Sequence, residues 1–103
     1  MRTIQGTITS IDSQTIPVGS VILIYVNNKN SQVVGNQSMQ KIEKFPIDFK
    51  CDVSNSAFSV EQELFIRVSI ENGEKVVLFS DEKPFKTTDN LDSINVEVKT
   101  NNE

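Results

Sequence analysis

The sequence predicts an all-β domain, a seven-stranded antiparallel β-sandwich, and three observations carry that prediction. Apolar residues recur at every second position in short runs; the runs are separated by clusters of Asn, Asp, Ser, Gly and Pro; and no segment repeats with the 3.6-residue period of an amphipathic helix. The 103 residues suit one domain over 1–103 with one core, and leave no room for a second lobe. Hydrophobic content of 37% and a mean hydropathy of −0.26 are lean, yet the apolar residues cluster in rhythmic runs that disordered chains of similar polarity lack.

The first strand is read over residues 3–11. Ile4, Gly6 and Ile8 share one face and Thr3, Gln5, Thr7 and Thr9 the other, before Asp12, Ser13, Gln14 and Pro17 break the pattern. Gly19 and Ser20 open the second strand, whose run 21–26 is apolar on both faces, as in a central strand covered on both sides or lying beside a long loop. The turn 27–31 closes it. Residues 32–42 space Val33, Val34, Met39 and Ile42 loosely around Gly35 and Asn36, which reads as a weak edge strand open to pairing with a second copy in a weak homo-oligomer.

In the fourth strand Phe45, Ile47, Phe49 and Cys51 alternate with Pro46, Asp48 and Lys50, and Pro46 must stand at an edge or a strand start because it has no amide to donate. Residues 52–62 suit a crossing loop anchored by Phe58 and Val60. Runs 64–70 and 75–80 form a hairpin through Asn72 and Gly73, a pair suited to the type I′ turn; that turn would set Val68 opposite Val77 and Ile66 opposite Phe79. A turn at 81–84, an anchor at Phe85 and a second break at 87–90 follow. The last strand alternates Ile94, Val96 and Val98 with Asn95, Glu97 and Lys99.

Charge and residue types narrow the function. A formal net charge of −4, from 10 Lys+Arg and 14 Asp+Glu, provides no basic footprint, so no nucleic-acid partner is expected. No apolar stretch approaches the roughly 18 to 20 residues of a transmembrane helix, so no transmembrane segment is expected. The chain has no His, which removes Ser-His-Asp and Cys-His nucleophilic machinery and the commonest metal ligand. With a single Cys and four scattered Gly, neither a zinc site nor a phosphate-cradling loop is drawn, and no cofactor is expected.

Cys51 shares its phase with Phe45, Ile47 and Phe49 and reads as a small core hydrophobe. Carboxylate pairs at Glu61/Glu63, Glu71/Glu74, Asp81/Glu82 and Asp89/Asp92 are what a His-free hydrolase would use, but all lie in or beside turns and read as solvated loop charges. Phe58, Phe65 and Phe85 are the candidate partner-binding residues. Phe65 is out of phase with Leu64, Ile66 and Val68, while the other two fall in loops; the competing reading is that such rings seal the edges of the sandwich.

The order and spacing of Ile4-Gln5-Gly6-Thr7-Ile8, Ile16-Pro17-Val18-Gly19-Ser20-Val21, Phe45-Pro46-Ile47-Asp48-Phe49, Leu64-Phe65-Ile66-Arg67-Val68-Ser69-Ile70 before Asn72-Gly73, Phe79-Ser80-Asp81 and Asn95-Val96-Glu97-Val98 resemble the YbaY/YscW-type lipoproteins. That family includes the outer-membrane pilotins, or lipoprotein chaperones, of type III secretion. The likeness spans almost the whole chain. It implies a β-sandwich without catalytic residues, a non-catalytic module holding a polypeptide partner through an edge strand or a loop surface. Pilotins also carry a lipidated N-terminal Cys, whereas this sequence begins on its first strand. A cytoplasmic protein is therefore expected if the chain is complete, and otherwise a bacterial envelope lipoprotein whose signal and lipidated Cys have been removed. The alternative from another class is the His-free hydrolase.

Overall fold

In a computed structural model that describes residues 2–11, 15–58 and 62–101, eight strands follow one another: β1 Arg2–Ser10, β2 Val21–Asn27, β3 Val33–Gln40, β4 Ile47–Val53, β5 Glu63–Asn72, β6 Lys75–Phe79, β7 Lys83–Lys86 and β8 Ile94–Thr100. A short 3₁₀ turn, Asn55–Phe58, follows β4. Among the described residues no helix is long and apolar enough to cross a membrane. Alternation sets the faces. In β4, Ile47, Phe49, Cys51 and Val53 are buried while Asp48, Lys50 and Asp52 face solvent; β8 repeats the scheme with Ile94, Val96 and Val98.

The all-β class stands, but the predicted sandwich is corrected to a closed seven-strand barrel. The hydrogen-bonded order β2-β3-β4-β1-β8-β6-β5 returns on itself because β2 also pairs with β5, from Val21 opposite Glu71 to Asn27 opposite Phe65. One neighbour pair is parallel: β1 runs beside β8 from Gly6 opposite Ile94 to Ser10 opposite Val98. Two corners close narrowly, β3–β4 through the single pair Gly35 and Val53, and β6–β8 through Leu78 opposite Thr100 and Phe79 opposite Lys99. Strand alternation reports only that one face is buried, and a barrel and a sandwich share that signature.

β2 shows how its doubly apolar run is used. Ile22, Ile24 and Val26 enter the core with no exposed surface, while Val21, Leu23 and Tyr25 stay half-buried on the outside. There the Arg67 guanidinium lies 4.5 Å from the centroid of the Tyr25 ring. Ile4, Ile8, Leu64, Ile66 and Ile70 join Ile22 and Ile24 as the largest of the fully buried side chains among the described residues.

Two local predictions are also revised. The β5–β6 turn is centred on Gly73 and Glu74, since Asn72 pairs with Lys75; only Gly73 takes positive φ (66°), which fits type II′ rather than I′. A bulge at Ile70/Glu71 then sets Ile70 opposite Leu78 and Ser69 opposite Phe79. Val68 consequently meets Ser80, whose amide donates to the Val68 carbonyl (2.8 Å), and Ile66 meets Lys83. The stretch read as a turn with a Phe85 anchor is the additional strand β7, which continues along the edge of β5 beyond β6, from Glu63 opposite Lys86 to Ile66 opposite Lys83. The loop anchor read at Val60 lies outside the described residues.

Candidate protein-interaction surface

Among the described residues the most exposed large apolar side chain is built into a turn. In Pro17-Val18-Gly19-Ser20 the Ser20 amide donates to the Pro17 carbonyl (3.2 Å), its hydroxyl donates to the same oxygen (2.6 Å), and Gly19 takes φ 87° at the third position, as a type II turn requires. The Ile16 amide donates to the Glu43 carbonyl (2.8 Å), and Thr15 bridges Lys44. From the far end of β5, the Asn72 Nδ2 donates to the Val18 carbonyl (3.0 Å) and to the Ser20 hydroxyl (3.2 Å). Val18 is thereby held at the tip of the turn, 78% exposed.

Beneath it lies an open groove of about 720 Å³ at one end of the barrel. Buried Ile16 and Leu78 and half-buried Val77 give it an apolar floor, with Glu43 and Lys44 among its lining. An apolar centre within reach of charged groups is the composition of a polypeptide-docking patch. A second depression of about 770 Å³ is polar, formed by Gln5, Thr7, Asp48, Lys50, Asp92 and Asn95 around the outer faces of β1, β4 and β8. Among the described residues no group of three or more His, Cys, Asp and Glu is placed to hold a metal ion.

The three phenylalanines singled out in the sequence do not converge. Phe58 ends the 3₁₀ turn half-buried, with the Arg2 guanidinium 4.7 Å from its ring centroid. Phe65 points outward from β5, half-buried, opposite Asn27 and Pro84. Phe85 pairs with Leu64 on the inner face and is only 6% exposed, so it fills core. Phe65 and Phe85 thus occupy opposite faces of one ladder.

Several carboxylates shape turns or meet near neighbours. Asp89 accepts the Lys86 amide (2.8 Å), Asp81 lies 3.4 Å from the Lys99 ammonium, and Glu71 accepts the Ser69 hydroxyl (3.4 Å). The pair Glu61/Glu63 is not placed, because Glu61 lies outside the described residues. Cys51 occupies the core as its phase predicts, 1% exposed. Burial, and secondarily the charge of Asp52, push its thiol up to about 11.

Sequence reasoning passed over the Val18 groove. The signal present in the Pro-Val-Gly-Ser stretch was its Gly, the residue a type II turn needs at its third position, and such turns run over the surface. Ile11 and Val33, 63% and 53% exposed, were likewise not marked.

No protein-family profile and no curated protein matches the chain. Among solved structures, an alternative pilotin from the type II secretion system of Vibrio cholerae is similar end to end, with a TM-score of 0.84 over 99% of this chain and 98% of that chain, at 12% identity. At that identity the likeness concerns the fold. The segment order that resembles pilotins in the sequence is therefore matched in space, and the chain has a pilotin-like fold.

Proposed function

We propose that this chain is a non-catalytic protein-binding module of the pilotin kind, which holds a polypeptide of a bacterial secretion apparatus in the groove under Val18. The observation that carries the reading is Val18 itself: an exposed aliphatic side chain pinned by a type II turn and by Asn72 above an apolar floor, where an unpinned loop would fold it away. The end-to-end likeness to a secretion pilotin supports the partner class. A groove of this kind supplies burial for an apolar anchor and lets charged groups around it orient the rest of the partner.

The test is quantitative co-purification from the native cells with tagged wild type and Val18→Asp. Val18 contributes little to the core, so the variant keeps the wild-type melting temperature. A secretion polypeptide that accompanies the wild type and falls at least about tenfold with Val18→Asp, matching the loss of one buried anchor, supports the proposal. Equal recovery with the variant, or a wild type that carries no polypeptide, overturns it.

A further inference from the structure

We infer that the Arg67–Tyr25 pair, on the outer face of β5 and β2, is a docking site for a polypeptide segment that presents a carboxylate between apolar side chains. Arg67 stands opposite Tyr25 in the β2–β5 ladder, and its guanidinium lies 4.5 Å from the ring centroid. Its strand neighbours Ile66 and Val68 are buried in the core, so alternation holds Arg67 outward, where it is half-buried. Stacking on the ring occupies one face of the planar cation and leaves its N–H edge free to donate.

That cation lacks an anion. Among the described residues the guanidinium makes no hydrogen bond and has no carboxylate within ion-pair distance, the one ion pair being Lys99 with Asp81. Glu63 and Glu71 stand four residues to either side on the same face, and neither reaches it. The other two stacked cations differ. Lys99 over Phe79 already holds Asp81 at 3.4 Å, and Arg2 over Phe58 is exposed to water. A half-buried guanidinium without a counter-charge is therefore particular to the Tyr25 face.

The surroundings define the rest of the partner. Leu23 is a diagonal neighbour of Arg67 across the ladder and Phe65 flanks it along β5, both half-buried on the outer face. Phe65 in turn lies opposite exposed Pro84, and Ser69 opposite half-buried Phe79, so the apolar surface continues on the far side of β5. Apolar side chains around a forked donor match a segment whose carboxylate is flanked by apolar residues, its two oxygens accepting in parallel from the fork. Charge complementarity selects the carboxylate, because an unpaired guanidinium repels a cation and binds an amide without charge assistance. None of the residues lining the groove under Val18 belongs to this face, so the site is separate from that groove.

The test titrates the full chain with the peptide acetyl-Gly-Leu-Glu-Leu-Gly-amide and with its glutamine twin, following the NMR signals of the Arg67 Nε–H and the Leu23 methyl groups. The acidic peptide moves both signals with a dissociation constant of about 1–10 mM, as suits so short a ligand, and the glutamine twin binds at least about tenfold more weakly. Arg67→Gln keeps the folded circular dichroism spectrum and loses that preference, whereas Val18→Asp keeps it. Octanoate, the probe for a fatty-acid occupant, binds more weakly than the acidic peptide. No binding by about 50 mM, or equal binding of the two peptides, overturns the proposal. So does a preference that survives Arg67→Gln or disappears in Val18→Asp, or octanoate bound as tightly as the acidic peptide.

Discussion

Gly6 sits where β8 first joins β1, opposite Ile94 at the start of the parallel ladder. A Cβ at this position would lie 1.7 Å from the Ile94 carbonyl oxygen, 2.6 Å from its carbon and 3.0 Å from its nitrogen. Both sides of this clash are fixed by backbone, so no rotamer relieves it. To restore even 3.0 Å the strands must part by about 1.3 Å (3.0 − 1.7) at the first rung. Overpacking of this kind costs about 1–3 kcal/mol, and two weakened ladder bonds add about 1 kcal/mol each. Gly6→Ala should therefore cost about 3–5 kcal/mol out of the roughly 5–15 kcal/mol that stabilise a domain of this size. At about 4–8 °C per kcal/mol, the melting temperature falls by about 12 °C or more. Urea unfolding followed by far-UV circular dichroism measures the loss directly. Gly19→Ala is the comparison, because nothing lies within 4 Å of its Cβ and only the φ of 87° opposes the substitution, at about 1–2 kcal/mol. A Gly6→Ala variant within about 1 kcal/mol of wild type, or less damaged than Gly19→Ala, would refute the close approach of β1 and β8.

Four further outcomes follow from the packing. Phe85→Asp buries an unpaired charge and abolishes cooperative melting, whereas Phe65→Asp on the outer face of the same ladder retains a folded circular dichroism spectrum; equal damage from both would contradict their opposite orientations. With its thiol at about 11 rather than 9.0, native Cys51 is ionised about 100-fold less at pH 8, so iodoacetamide labels it at least that much more slowly than the urea-unfolded chain. A thiol whose pKa rises on folding leaves stability intact below pH 9 and erodes it as pH climbs from 9 toward 11, and a urea midpoint that increases over that window would reverse the sign. Asn72→Ala removes both side-chain bonds to the Val18 turn, costs about 1–2 kcal/mol and accelerates exchange of the Ser20 amide; an unchanged Ser20 amide would show that the turn holds without Asn72.

How far the fold could be read depends on the range of each signal. The alternation of Ile47, Phe49 and Cys51 with Asp48 and Lys50 is local, and it assigned those faces of β4 and placed Cys51 in the core, whereas Asp52 and Val53, read as the start of a crossing loop, continue the strand. The pairing of Val21 with Glu71 and the parallel approach of Gly6 to Ile94 leave no local mark, so neither the closed ring nor its parallel pair was visible. β7 has only Lys83, Pro84, Phe85 and Lys86, too short for periodicity to outweigh its proline, and it exists because the edge of β5 extends beyond β6. The hairpin at Asn72 and Gly73 was correctly a turn, but the bulge at Ile70/Glu71 moved its register. For the candidate site the break at Pro17 was legible, but Gly19 and Ser20, read as the opening of the second strand, belong to the turn before β2, and the groove was not legible because its floor is completed by Val77 and Leu78 from a distant strand.

The most direct measurement replaces Val18 with a photo-crosslinking amino acid in the chain expressed in its native cells, with the same replacement at exposed Asn95 on the polar face as reference. If the groove holds a polypeptide, illumination yields one discrete protein adduct from position 18 and none from position 95. No adduct from position 18, or identical adducts from both positions, would contradict a polypeptide-binding role for the groove.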